Sequence, residues 1–216
     1  MKIHRGFAAT ALIALAGALP GITVGAQKGP APVDVKRTEV QWTEDGLRKV
    51  RVEGLDLVYA REGASLAGYR RILLKPVEVA FRRDWGRDPP IGSRIRSDDS
   101  QRIKSELARI IREEALVELG RGGYALADAP ADDVLEVDVR IVDLYLNAPD
   151  LPTAPAVVYY TLSVGEMTLI AELRDSASGD VVARVLDRKV DPERTELRLT
   201  TSVDNVAAAR DAARSW

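Results

Sequence analysis

Apolar and polar residues alternate without a break from Leu135 to Ile141, with Leu135, Val137, Val139 and Ile141 separated by Glu136, Asp138 and Arg140. A period of two predicts a strand with one face in a core and the other toward water. Between Tyr69 and Trp85, the buried run Ile72, Leu73, Leu74 passes into alternation of Val77, Val79 and Phe81 against Glu78, Ala80 and Arg82. Pro76 interrupts this central strand, and a residue without an N–H places it at a sheet edge or a bulge. From Val50 the pattern runs through Val52, Leu55, Leu57 and Tyr59 as a first strand, with Gly54 where a bulge resets the register. Tyr159 to Arg174 is read as a further strand, clearest at Met167, Leu169, Ala171 and Leu173. The Asp175–Asp180 turn, with Gly179 available for a positive φ, returns Val181 to Leu186 antiparallel.

The period changes to that of a helix after Ser97. This serine is an N-cap, Asp98 and Asp99 suit the first turn, and Ile103, Leu107, Ile110, Ile111 and Val117 fall on one face. Gly120 is the expected stop. Thr201 or Ser202 caps a second, alanine-rich helix carrying Val206, Ala209, Ala213 and Trp216 on one side. Tyr124 and Leu126 form a short edge segment, and Asn147 to Pro155 makes an irregular, proline-rich connection. The fold class expected is α+β: a single mixed or mostly antiparallel sheet of about five strands with two helices packed on one face. The central strand, the first helix and the Leu135 strand would form a βαβ unit.

The first residues belong to a different kind of pattern. Lys2 and Arg5 precede an apolar run from Gly6 to Leu19, followed by Pro20, Gly21 and the small residues Val24, Gly25, Ala26. This is the layout of a secretory signal peptide over residues 1–26. Its apolar core of about 14 residues is shorter than the roughly 17–25 that span a bilayer. Residues 27–37, with Gly29, Pro30, Ala31 and Pro32, read as a flexible leader, and residues 38–216 as one domain. The expected location is periplasmic or secreted, with no transmembrane helix after cleavage. Removal of Lys2 and Arg5 takes the formal charge from −2 to −4, which gives no support to nucleic-acid binding.

Cysteine is absent and His4, the single histidine, lies in the leader peptide. The trimmed chain therefore lacks the imidazole and thiol of Ser-His-Asp and Cys-His sites, and the soft ligands of zinc and copper centres. It also lacks a lipid-anchor cysteine. Asp128, Asp132 and Asp133 form an acidic run without the glycine and bidentate-glutamate spacing of a calcium loop, and Asp98 and Asp99 are explained by the helix dipole. No metal or cofactor is expected. Catalysis, if any, falls to a carboxylate pair as in glycosidases, with Glu166, Glu172 and Asp187 as strand-borne candidates. Paired charges on a solvated sheet face explain them more simply.

Arg82, Arg83, Trp85 and Arg87 are the candidate binding surface. Guanidinium groups beside an exposed indole would hold an anionic ligand through bidentate hydrogen bonds and cation–π contact. The weightier reading is that Trp85 closes the core and the arginines pair with Asp84 and Asp88. Tyr159 and Tyr160 likewise read as core residues before a sugar platform.

Leu66 and Tyr69 ahead of an apolar strand, Pro76-Val77-Glu78-Val79, Phe81 and Trp85, and later Glu172-Leu173, Asp175-Ser176 and Gly179 carry a resemblance. The chain resembles an uncharacterised domain-of-unknown-function family of bacterial envelope proteins, many of them lipoproteins. The resemblance implies no catalytic residues, and the missing lipid-bearing cysteine departs from it. The function expected is that of an exported non-enzymatic envelope protein, a binding or structural module of the periplasm that meets an envelope protein or an anionic envelope polymer. The alternative is a carboxylate-based hydrolase acting on a cell-envelope polysaccharide.

Overall fold

The computed structural model describes residues 43, 45–85, 97–147, 159–161, 165–191, 198–200 and 202–216. The expected signal peptide, the flexible leader, Arg87 and most of the proline-rich connection lie outside the described residues. Twelve elements follow in order: β1 (Leu47–Val50), β2 (Leu57–Arg61), β3 (Arg71–Leu74), β4 (Glu78–Phe81), α1 (Ser97–Arg121), β5 (Ala125–Leu126), β6 (Val134–Leu146), β7 (Tyr159–Thr161), β8 (Gly165–Asp175), β9 (Val181–Val190), β10 (Arg198–Thr200) and α2 (Ser202–Ser215).

The long strand β6, with its clean alternation, is the template on which the rest registers. On one side it pairs antiparallel with β8, which pairs antiparallel with β9, which pairs with β2 and through it with β1. On the other side it takes β3 and β4 in parallel, one after the other along its length. The order is β1-β2-β9-β8-β6-β3-β5, with β4 beside β6. The described residues thus form an α+β fold with two helices and a large mixed sheet.

That sheet has eight strands where about five were expected. The expected first strand is a hairpin, β1 antiparallel to β2, because Gly54 adopts φ 84° and turns the chain instead of bulging it. The central strand is two strands, since Pro76 lies in the gap between them and supplies no ladder donor there. The β3–α1–β6 crossover is parallel, as the βαβ reading requires. Residues Tyr159–Thr161 do not continue into β8; they pair with β10 in a separate two-stranded sheet.

Register and alternation collect Val58, Leu74, Val137, Val139, Leu173 and Val185 on one face, all buried. Ile111 and Leu119 of α1 and Ala213 and Trp216 at the end of the chain pack on this face. Both helices therefore cover the same side. Val117, expected in the buried stripe, is 47% exposed. Its cover is missing: α2 ends at Ser215, and its Arg210 and Arg214 reach Glu114, about one turn before Val117. The helix also ends later than Gly120. Gly123 takes φ 82°, its N–H donates to Gly120 O at 3.1 Å, and Tyr124 N donates to Leu119 O at 3.0 Å, which is a Schellman ending. No helix among the described residues is long and apolar enough to cross a membrane.

Candidate functional site

The arginine–tryptophan corner follows directly from β4. Arg82 N donates to Leu144 O at 3.0 Å, so the chain stays tied to β6 one residue past the strand. Its guanidinium donates to Asp84 at 2.6 Å and to Glu166, and lies 4.0 Å from the centre of the Tyr145 ring. The Asp84 hydrogen bond chiefly holds the Arg82 pKa above its ordinary value, against the opposing effect of burial. Trp85 stacks on Phe81 with ring centres 3.7 Å apart and donates from Nε1 to Leu146 O at 3.1 Å. The structure brings Arg82 and Trp85 together against β6, each facing a partner within the fold. Arg83 is exposed.

The three candidate carboxylates do not converge. Alternation along β8 puts Glu166 and Glu172 on the face away from the helices, whereas Asp187 on β9 points under them. Glu166 and Glu172 are six residues apart on one strand, about 20 Å, far beyond the roughly 5–9.5 Å of a glycosidase pair. Each is also engaged. Glu166 accepts from Arg82 and Arg188. Glu172, only 6% exposed, accepts from Arg174 and from Arg184 at 2.6 and 2.9 Å. Burial pushes its carboxyl upward, but the Arg184 hydrogen bonds and the Arg174 charge outweigh it and leave the pKa below the usual value.

Asp187 is 2% exposed. Asp56 N donates to Oδ1 at 2.9 Å, while Trp216 Nε1 and Lys189 Nζ reach Oδ2 at 2.7 and 2.8 Å. It fastens the β1–β2 turn and the end of the chain to the sheet.

The acidic run is likewise structural where it is engaged, with Asp133 paired to Arg71 and its pKa lowered chiefly by that hydrogen bond. Among the described residues there is no group of three or more His, Cys, Asp or Glu side chains placed to hold a metal ion.

Among the described residues, a cleft lies between α1 and α2 with a volume of about 360 Å³. Ile103, Leu107 and Ile110 form one wall, Val206, Ala209 and Ala212 the other, and Leu144 and Met167 of the sheet form the floor. The space exists because the α2 wall is built of small residues facing larger aliphatic ones. At the mouth, Gly165 pairs with Leu146, and a Cβ at Gly165 would meet Tyr145 O at 2.1 Å, so only glycine allows this approach of β8 to β6. Volume, apolar walls and position between helices are those of a ligand pocket.

Residues 44–216, which include every element described above, match the family described as "Protein of unknown function (DUF3313)". The chain belongs to that family. No curated protein matches the sequence. Solved structures similar to this DUF3313 member include a PelC dodecamer from Paraburkholderia phytofirmans, at 12% identity over 73% of this chain and 96% of that one, with a TM-score of 0.32. A DUF330 protein from Xanthomonas campestris is 13% identical over 72% of this chain and 82% of its own, with a TM-score of 0.38. A putative neuraminyllactose-binding hemagglutinin homolog from Helicobacter pylori is 11% identical over 69% and 79% of the respective chains, with a TM-score of 0.35.

In this DUF3313 member the cleft was not among the sites read from the sequence. The available signal was the run Ala207, Ala208, Ala209 followed by Ala212 and Ala213 on a helix opposite larger aliphatic positions. Such a run equally describes close helix packing, and the distance between two helices far apart in sequence is a tertiary property.

Proposed function

We propose that the protein is an exported, non-enzymatic module of the bacterial envelope that works by holding another envelope component in the α1–α2 cleft. The observation that carries this reading is the cleft itself: a concave space of about 360 Å³ with aliphatic walls, away from Glu172 and Asp187 and bordered by Glu166, which is already bound to Arg82 and Arg188. Proton transfer needs a carboxyl group not already tied up in ion pairs, whereas holding needs shape and apolar surface. Export is supported by the charged, apolar and small-residue order of residues 1–26.

The test is to express the full chain in a Gram-negative host, fractionate the cells, and place a photo-crosslinking amino acid at Val206 in the cleft wall. The reading expects the protein, shortened at its amino terminus, in the periplasmic or membrane fraction, with adducts that a crosslinker at Val117 does not give. Cytoplasmic retention of the uncut chain would refute export. Turnover of a cell-wall polysaccharide by the purified protein, lost on changing a single Glu or Asp, would establish the hydrolase instead.

A further inference from the structure

We infer that the α1–α2 cleft takes one uncharged hydrocarbon chain, the acyl part of an envelope lipid; this rests on reading the protein as a binding module. The first ground is the state of the charged residues along the cleft. Glu106 accepts two hydrogen bonds from Arg109, at 2.5 and 3.1 Å, and this pairing chiefly holds its pKa below the usual value. Glu166 is bound to Arg82 and Arg188, Lys189 to Asp187, and Asp211 lies 3.9 Å from Arg214. Arg102 and Asp191 are engaged as well. Every charged residue described along the cleft already has a partner, so an ionic group entering it would lose its hydration without gaining a counter-charge.

The second ground is the walls. Both are helices, whose backbone groups are satisfied internally, and the side chains facing the gap at Ile103, Leu107, Val206 and Ala209 neither donate nor accept hydrogen bonds. An extended peptide would bring N–H and C=O groups along its whole length that find no partner at these aliphatic positions, since the uncharged polar side chains of the lining are Asn205 and Ser215 on α2 alone. A methylene chain needs no hydrogen bonds and follows a narrow groove. Val190, 51% exposed at the mouth, continues the apolar surface outward.

The experiment titrates the purified protein with 1-monolauroylglycerol below its micelle concentration, by calorimetry, and repeats the titration with lauryl phosphate and with an amphipathic helical peptide. The inference expects saturable one-to-one binding of the monoacylglycerol. Ala209→Phe, which fills the gap, should weaken it at least about tenfold, the loss of roughly two buried methylenes. Val206→Asp, which puts an unpaired carboxylate on the wall at a half-buried position, should do the same if Ala209→Phe fails to fold by circular dichroism. Absence of saturable binding, unchanged binding in a folded variant, or binding of only the phosphate or the peptide would overturn the acyl-chain assignment. Such a result beside specific envelope adducts at Val206 would leave the module reading intact, whereas substrate turnover would remove that reading itself.

Discussion

The two faces of the sheet solve different problems with neighbouring residues. On β8, Leu173 points under the helices and is 3% exposed, while Glu172 beside it points the other way and lies between Arg174 and Arg184. The covered face is held by apolar burial, with Asp187 a charged exception that serves as a fastening point for a turn and the chain end. The opposite face carries charges paired across strands: Glu172 and Arg184 are direct register partners of β8 and β9. A slip of one residue would bury Arg184 and expose Val185, so these pairs fix alignment more than they add stability. Because the charges on that face largely answer one another, recognition is better sought where the apolar face emerges between the helices.

This contrast can be broken at graded cost. Leu173→Ala should destabilise the protein by about 3 kcal/mol through lost burial and a cavity, read as a lower denaturant midpoint; a loss near that of a surface substitution would contradict the division of labour. Asp187→Ala should cost about 2 to 3 kcal/mol, since Trp216 Nε1 and Asp56 N lose a buried acceptor. Hydrogen exchange should show the loss concentrated at α2 and the β1–β2 turn.

On the other face, Glu172→Gln should cost about 1 to 2 kcal/mol. Its folded pKa is lowered, so its contribution is present above the ordinary glutamate value and disappears as pH falls through the depressed one. The variant should therefore be less sensitive to acid than the parent. Smallest is Tyr69→Phe, at about 1 kcal/mol, because solvent reaches the hydrogen bond that Tyr69 donates to Asp175 at 2.8 Å. Burial first, and then the Asp175 bond, push the tyrosine up to about 12 from 10.0. Its contribution is complete below pH 10.0 and fades as pH rises through about 12. Alkaline unfolding followed by circular dichroism should lose that component in the variant, and an identical alkaline limb would refute the assignment.

Strands with strict alternation are legible in the sequence: β6, the β8–β9 hairpin and the turn at Gly179 all follow from period two and one flexible glycine. Elements set by single backbone exceptions were not. Pro76 and Gly54 were recognised as interruptions, but whether an interruption bulges, ends or reverses a strand depends on what lies beside it. Val117 continues the spacing of Ile110, yet burial requires a covering element, and helical period carries no information about where α2 stops. The same limit applies to function. Arg82 and Trp85, read from the sequence as part of a binding surface, are engaged within the fold by Asp84, Glu166 and Phe81, and the cleft arises from residues about a hundred positions apart.

The pairing of β2 with β9 has a consequence for how the molecule is made. Val58 meets Val185, so the first hairpin among the described residues borders the last long strand of the sheet, while β6, β8 and β9 join through nearer neighbours. Loop closure favours the nearer contacts, and the β1–β2 hairpin must wait until β9 has been made. Pulse-labelled amides should become protected in β8 and β9 before β1 and β2, and the reverse order would show that assembly starts from the opposite end.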